Sequence, residues 1–375
     1  MLKASHLVKS KIPPAVLLVA AICLLTFAVF ARQTFLEYLQ QQQKEYEEFQ
    51  QREAEDFAAY VAEVEKKWKE FKNSTQRDWY EYSRDLNTIS HVDFEEGRIT
   101  IETLVEKSDE DILARARKNI TEKVEGLFKT DSLANEVILA GQVEFNSQPP
   151  VDSANAAEFV DEKIMPDARI EKTTIVGDDG VERIKVTAAF KMVPDHLSIR
   201  AKKYLPLVRK YCRRFELEIP LVLAVIQTES YFNPRAKSPA PAYGLMQLVP
   251  TSGAREGYMY SHREDKIVKP NFLYIPENNV LLGCAYLAKM RDNEFKEITD
   301  RDKLRYCLVA SYNTGPGNLS RAVIGSPMLN FAVEKINGMT DKQLFDKLKS
   351  DLPYEETRDY IVKVENRREN YREWQ

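Results

Sequence analysis

The chain has 375 residues, 43% of them hydrophobic and 30% charged, and a formal net charge of -4. That length accommodates two domains after an N-terminal segment, and the near-neutral balance excludes the global basic field of a nucleic-acid binder. Of four cysteines one, Cys23, lies in an apolar N-terminal segment, and the odd three that remain fall in apolar runs, which argues against a disulfide framework; none of the four histidines is at ligand spacing, which gives no ground for a metal or other cofactor.

Residues 12–31 carry no charge, enough at about 1.5 Å per residue to cross a hydrocarbon core of roughly 30 Å. Lys3, Lys9 and Lys11 precede this stretch, whereas Arg32 alone follows it closely before Glu37. The asymmetry predicts a cytoplasmic tail at 1–11, a transmembrane anchor at 12–31 and the bulk of the chain outside. A signal peptide cleaved near Val29-Phe30-Ala31 is one alternative, and lipidation at Cys23 in a poor attachment motif is another. All three export the chain. Residues 32–85 lack Gly and Pro, and Phe35, Leu39, Tyr46, Phe49, Tyr60, Val64 and Trp68 recur every three to four positions or a multiple of that. This predicts an amphipathic helical segment serving as a stalk or packing helix.

From 86 to 195 the pattern changes to an α+β accessory domain. His91–Phe94 and Arg98–Glu102 flank Glu95-Glu96-Gly97, a hairpin signal. Ser108-Asp109-Glu110-Asp111 opens a helix whose apolar face is Ile112, Ala116, Ile120, Val124 and Phe128. Val137–Phe145 reads as a buried strand, and Ser147–Ala157 as a loop. Gly177–Gly180 joins two further strands, the second alternating Ile184, Val186, Ala188 and Phe190 against Arg183, Lys185 and Thr187.

Pro194-Asp195 marks a boundary. Residues 196–375 read as all helix, roughly 197–216, 219–230, 244–250, 276–292 and 301–313, then shorter helices, with a long loop at 252–275. Cys212, Cys284 and Cys307 fall in apolar helical runs and read as buried thiols. The run Leu221–Ile226 is apolar on every side and ends in Gln227-Thr228-Glu229-Ser230. A carboxylate carried to the rim of such a helix is partly desolvated and keeps its proton near neutrality, the state a general acid needs. A helix-terminal Glu reaching solvent is the alternative reading. Glu216, Glu218 and Glu256 read as surface charges, so no second carboxylate as well placed accompanies Glu229.

Three later runs, Ala242–Gln247, Ala310–Asn318 and Pro353–Ile361, follow Glu229 in an order that resembles the catalytic domain of family 1 lytic transglycosylases. The upstream layout resembles the membrane-bound C group within them. The resemblance covers about 180 residues, from near Leu197 onward. It implies a lysozyme-like helical domain that cleaves peptidoglycan strands between N-acetylmuramic acid and N-acetylglucosamine without water. Glu229 would donate the proton and then take one from the sugar's C6 hydroxyl, leaving a 1,6-anhydro end. The substrate-contacting set it implies is Ser230, Ser238, Gly244, Met246, Gln247, Tyr312, Asn313, Glu356 and Tyr360. Pro239 and Pro241 around Ser238, and Ser311 and Thr314 around the Tyr-Asn pair, depart from the family pattern. Met246 as core, Gln247 as surface, Asn313 as helix terminator and a surface Glu356–Tyr360 pair are the plain alternatives. The expected partners are peptidoglycan strands, the membrane and cell-wall synthesis or division proteins, in a bacterial envelope with the domains periplasmic. A hydrolytic muramidase and a non-catalytic peptidoglycan-binding protein are the competing functions.

Overall fold

The computed structural model describes residues 14–145 and 151–374, excepting the side chains of 14–32, 34, 35 and 172. The chain divides into two compact units, residues 1–56 and 57–375. In the first unit the described backbone is helical, the beginning of α1 (Pro14–Glu65). The anchor expected at 12–31 lies on side chains outside the described residues. Among the described residues no helix is long and apolar enough to cross a membrane.

Helix α1 stops at Glu65, which corrects the helical expectation for the rest of 32–85. Asn73-Ser74-Thr75 turn the chain by competing for backbone groups. Ser74 Oγ accepts from Tyr80 N at 2.9 Å and Thr75 Oγ1 from Asp78 N at 3.1 Å. The aromatic run after them, Asp78–Tyr82, forms β1. Strands β2 (Thr88–Asp93) and β3 (Arg98–Glu106) make the expected hairpin, Asp93 facing Arg98. Its turn needs Gly97, where φ is +62° and a Cβ would stand 2.6 Å from the His196 ring. Helix α2 (Ile112–Leu127) starts one turn later than Ser108, because the cap is Asp111, whose carboxylate accepts from Ala114 N at 2.9 Å.

The strand expected at Val137–Phe145 is absent. Ile138, Leu139, Gln142, Val143 and Phe145 are buried, but the carbonyls at Gln142 and Val143 accept single bonds from Val193 N and Val151 N, each at 2.9 Å, in place of a ladder. Burial explains the apolar sequence; turns around Asn135 (φ +56°) and Gly141 (φ +72°) prevent extension. Of the loop expected at Ser147–Ala157, residues 147–150 lie outside the described set, and Ala156–Phe159 forms a short helix, α3. Strands β4 (Arg169–Val176) and β5 (Glu182–Lys191) close an antiparallel sheet of order β1-β2-β3-β5-β4. One face packs Ile99, Ile101, Val186 and Ala188 against Ala116, Ile120 and Val124 of α2.

The helical part begins with α4 (His196–Phe215) and α5 (Ile219–Ser230). Helix α6 (Gly253–His262) and the single turn α7 (Pro270–Leu273) occupy the expected loop. They are followed by α8 (Pro276–Lys289), α9 (Arg301–Thr314), α10 (Pro316–Ile324), α11 (Leu329–Asn337), α12 (Asp341–Asp351) and α13 (Glu355–Glu369). The periodicity of 252–262 is hidden because Gly257 sits on the buried side, where a Cβ would meet Leu282 O at 2.3 Å. Residues 244–250 are a tight turn instead of a helix, since Gly244 (φ +77°) and Gln247 (φ +45°) both hold left-handed backbone. Helix α5 runs through the core, with Val222–Ile226 fully buried. Cys212, Cys284 and Cys307 are buried and unbridged.

Candidate active site

Helix α5 ends at Ser230 because Tyr231 takes a left-handed conformation (φ +51°) and caps it. That places Glu229 on the last turn, at the wall of a cleft of about 620 Å³ also lined by Gln247, Tyr312, Asn313 and Glu356. Glu229 is only 7% exposed, and its Oε1 accepts from the Tyr360 hydroxyl at 2.7 Å. Burial raises its carboxyl to about 8; the Tyr360 bond opposes that shift and the Glu356 charge adds to it. At neutral pH the group is therefore mostly protonated while still opening on the cleft.

Helix α13 brings two of the expected residues to Glu229. Tyr360 is buried beneath it, and Glu356, one turn earlier, stands exposed in the cleft. Thr357 Oγ1 donates to Asn313 Oδ1 at 2.7 Å, so the acceptor end of that amide is occupied. Asn313 itself lines the cleft. Tyr312, partly buried on the same helix, donates its hydroxyl to Met246 O at 2.7 Å and so ties α9 to the Gly244–Gln247 turn.

That turn delivers one side chain to the site. Gln247 is 8% exposed, and its Nε2 donates to Ala236 O at 3.1 Å and Gly244 O at 3.0 Å. Its Oε1 is buried without a partner, an acceptor whose desolvation is uncompensated until a donor enters. Asn279 of α8 holds the turn from behind, donating to Tyr243 O and Leu273 O, each at 2.8 Å, and accepting from Met246 N at 2.7 Å.

Other expected contacts are not brought into the cleft. Met246 points into the core against Gly283, where a Cβ would lie 2.2 Å from its Sδ; the core reading of this residue holds. Ser230 Oγ sits between Ile226 O at 3.1 Å and Leu245 O at 2.7 Å, so it fastens the helix end to the turn. Ser238 bonds Ala240 O within its own proline-flanked loop and does not line the cleft. Gly244 allows the approach of chain to chain, since its Cβ would stand 2.3 Å from Leu273 O. Glu256, expected as a surface charge, lines the cleft from α6 and pairs with Lys289 at 2.9 Å.

Sequence reasoning did not single out Tyr354, 58% exposed at the cleft mouth, although it lies in the Pro353–Ile361 run. It also gave the sheet region no part in the site. The cleft continues into a second arm of about 470 Å³, sharing Glu229, Asn313 and Glu356 and bounded by Thr75, Gln76, Arg77 and Glu95. No periodicity or motif marks those four, because each serves through placement next to β1 or in the β2–β3 turn. Among the described residues no group of His, Cys, Asp and Glu is placed to hold a metal ion.

Residues 42–203 match the family described as membrane-bound lytic murein transglycosylase C, N-terminal domain, and residues 206–330 match the Transglycosylase SLT domain. The membrane-bound lytic murein transglycosylase C of Serratia proteamaculans is 33% identical over 311 residues, covering 79% of this chain and 82% of the relative. That of Sodalis glossinidius is 32% identical over 84% of this chain and 88% of the relative. Among solved structures, the 70 kDa soluble lytic transglycosylase of Escherichia coli is similar at 25% identity and a TM-score of 0.36, over 46% of this chain and 24% of that one. With both of its regions matched and most of its length aligned to these relatives, the chain belongs to the membrane-bound lytic murein transglycosylase C family.

Proposed function

We propose that the chain is a peptidoglycan lytic transglycosylase in which Glu229 acts first as acid and then as base. The observation that carries this is a carboxyl buried at a cleft wall, on the last turn of α5 and held by the Tyr360 hydroxyl, where burial raises it to about 8. Glu229 donates its proton to the glycosidic oxygen between N-acetylmuramic acid and N-acetylglucosamine. The substrate's acetamido group supports the developing positive charge at the anomeric carbon. Glu229, now a carboxylate, removes the C6 hydroxyl proton as that oxygen closes on the same carbon, so no water is consumed. Closure within one sugar benefits from a high effective concentration, and the proton transfers contribute on the order of 10²–10⁴ in rate.

The surrounding residues fit that chemistry. The unpaired Oε1 of Gln247 suits an acetamido N–H, and the NH2 end of Asn313 suits a sugar oxygen or acetamido carbonyl. Tyr354 offers an exposed aromatic face at the mouth. Tyr312 acts through the turn it holds. The second arm gives a strand room beyond the scissile bond. The uncharged segment 12–31 and its flanking lysines, together with relatives named as membrane-bound, support a retained anchor with the domains on the periplasmic side.

One observation favours a hydrolytic reading as runner-up: Glu356 is a second carboxylate in the cleft, free to activate water. Two substitutions separate the readings. Glu229→Gln is expected to bind glycan strands with near-normal affinity and lose cleavage by on the order of 10²–10⁴-fold; activity at a tenth of the parent or more excludes the acid role. Glu356→Gln is expected to keep cleaving, whereas a hydrolase would be disabled by it.

A further inference from the structure

We propose that the β2–β3 turn of the sheet region positions the proton donor, through Arg200, Tyr231 and Glu95; this rests on the reading of Glu229 as the acid. Tyr231 and Phe232 are consecutive non-glycine residues in left-handed backbone, at φ +51° and +61°. Such conformations persist where the surroundings over-determine them. Here a buried cation does so. Arg200 is 1% exposed and donates to Tyr231 O at 3.0 Å, Phe94 O at 2.6 Å and Gln142 Oε1 at 2.6 Å. None of these acceptors is charged, and a buried guanidinium is tolerated only when its N–H groups are satisfied. Burial therefore works as a constraint: the turn at Phe94 and the end of α5 at Tyr231 must stay where Arg200 can reach both.

The Tyr231 side chain adds the second tie. Its hydroxyl donates to Glu95 Oε1 at 2.6 Å and accepts from Arg367 Nη2 at 2.8 Å. Glu95 is held in turn by Arg77 at 2.7 Å. Arg367 lies on α13, the helix that carries Tyr360, and also donates to Gln227 O of α5 at 3.1 Å. The phenol thus links the sheet region to the same two helices whose spacing sets the Glu229–Tyr360 bond. Glu229 is two residues from Tyr231, so about 3 Å of helix separates the tie from the acid. Glu95 and Tyr231 are positioning residues.

The experiment uses the full chain with Tyr231→Phe, Glu95→Ala and Glu95→Gln. It measures kcat and KM on purified glycan strands, Tm, and hydrogen exchange at the amides of residues 228–232. Tyr231→Phe and Glu95→Ala are expected to lower kcat about tenfold or more with KM within about twofold, since small misplacements of an acid act on the chemical step. Exchange at 228–232 should quicken while Tm falls by only a few degrees. Glu95→Gln keeps an acceptor for the phenol and should recover most of kcat. A raised KM with unchanged kcat would make these residues strand contacts and overturn the proposal, as would unchanged exchange or a kcat loss that merely tracks the unfolded fraction. Exchange is read without substrate, so a parent enzyme that cleaves nothing would count against Glu229 as acid and leave this test standing.

Discussion

A carboxyl with its proton retained near neutrality destabilises the fold that retains it, and Glu229 shows the trade. Its ordinary value near 4.5 is raised to about 8 in the folded chain, so between those pH values the unfolded chain releases a proton that the folded one keeps. Stability from this group is complete below about 4.5, declines as pH rises through the window and is flat above about 8, at up to about 1.4 kcal/mol per pH unit. Glu229→Gln, which can still accept from Tyr360, should therefore unfold at higher denaturant than the parent at pH 8 and at a similar concentration at pH 4. Equal midpoints at pH 8 would contradict the buried acid. Activity should fall as pH rises through about 8. Because the Glu356 charge raises this value and the Tyr360 bond lowers it, Glu356→Gln should move the alkaline limb of kcat to lower pH, and Tyr360→Phe to higher pH. Shifts of the same sign in both variants would break the assignment of causes. Legibility at this scale was uneven: a Glu ending an all-apolar helix is visible in sequence. The inward turn of Met246 was not, because it depends on Gly283 across the core.

Among the elements, the turn Gly244–Gln247 carries the greatest burden, since it delivers Gln247, is held by Tyr312 and Asn279, and has no regular structure of its own. Gly244→Ala would place a Cβ 2.3 Å from Leu273 O in backbone at φ +77°. The left-handed conformation alone costs alanine about 1–2 kcal/mol, and the displaced backbone adds to it. Urea unfolding should show a loss of at least about 2 kcal/mol, with cleavage reduced in the fraction that stays folded; a neutral substitution would mean the turn is more yielding than its contacts indicate. The same residues explain the misreading of 244–250 as helix: Leu245, Met246, Leu248 and Val249 are apolar, and burial in an irregular turn leaves the same composition as burial in a helix. In 252–262 the opposite happened. Gly253 and Gly257 suggested a loop, whereas they are the flat side on which α6 packs against α8. Elements with a repeating apolar face, such as α2 apart from its first turn and β5, were read correctly because their burial follows their own period.

On the scale of the whole molecule, the sheet region is the part whose purpose least resembles its sequence. Its β2–β3 and β4–β5 hairpins were legible from turn glycines and alternation, whereas β1 fell in the segment read as helix; its contribution to the cleft rests on Gln76, Arg77 and Glu95, polar residues whose role depends on where the helical part stands beside them. The N-terminal segment raises a separate question that fractionation answers. The full chain should remain with membranes through a high-salt wash, and a chain lacking residues 1–32 should be soluble and equally active on isolated strands; a full chain found in the soluble fraction would remove the anchor. The chemistry itself is tested most directly by digesting purified sacculi in oxygen-18 water and weighing the released fragments. Glu229 acting on the sugar's own C6 hydroxyl predicts predominantly 1,6-anhydro ends without the heavy isotope. Predominantly reducing ends that carry one oxygen-18 atom would contradict it.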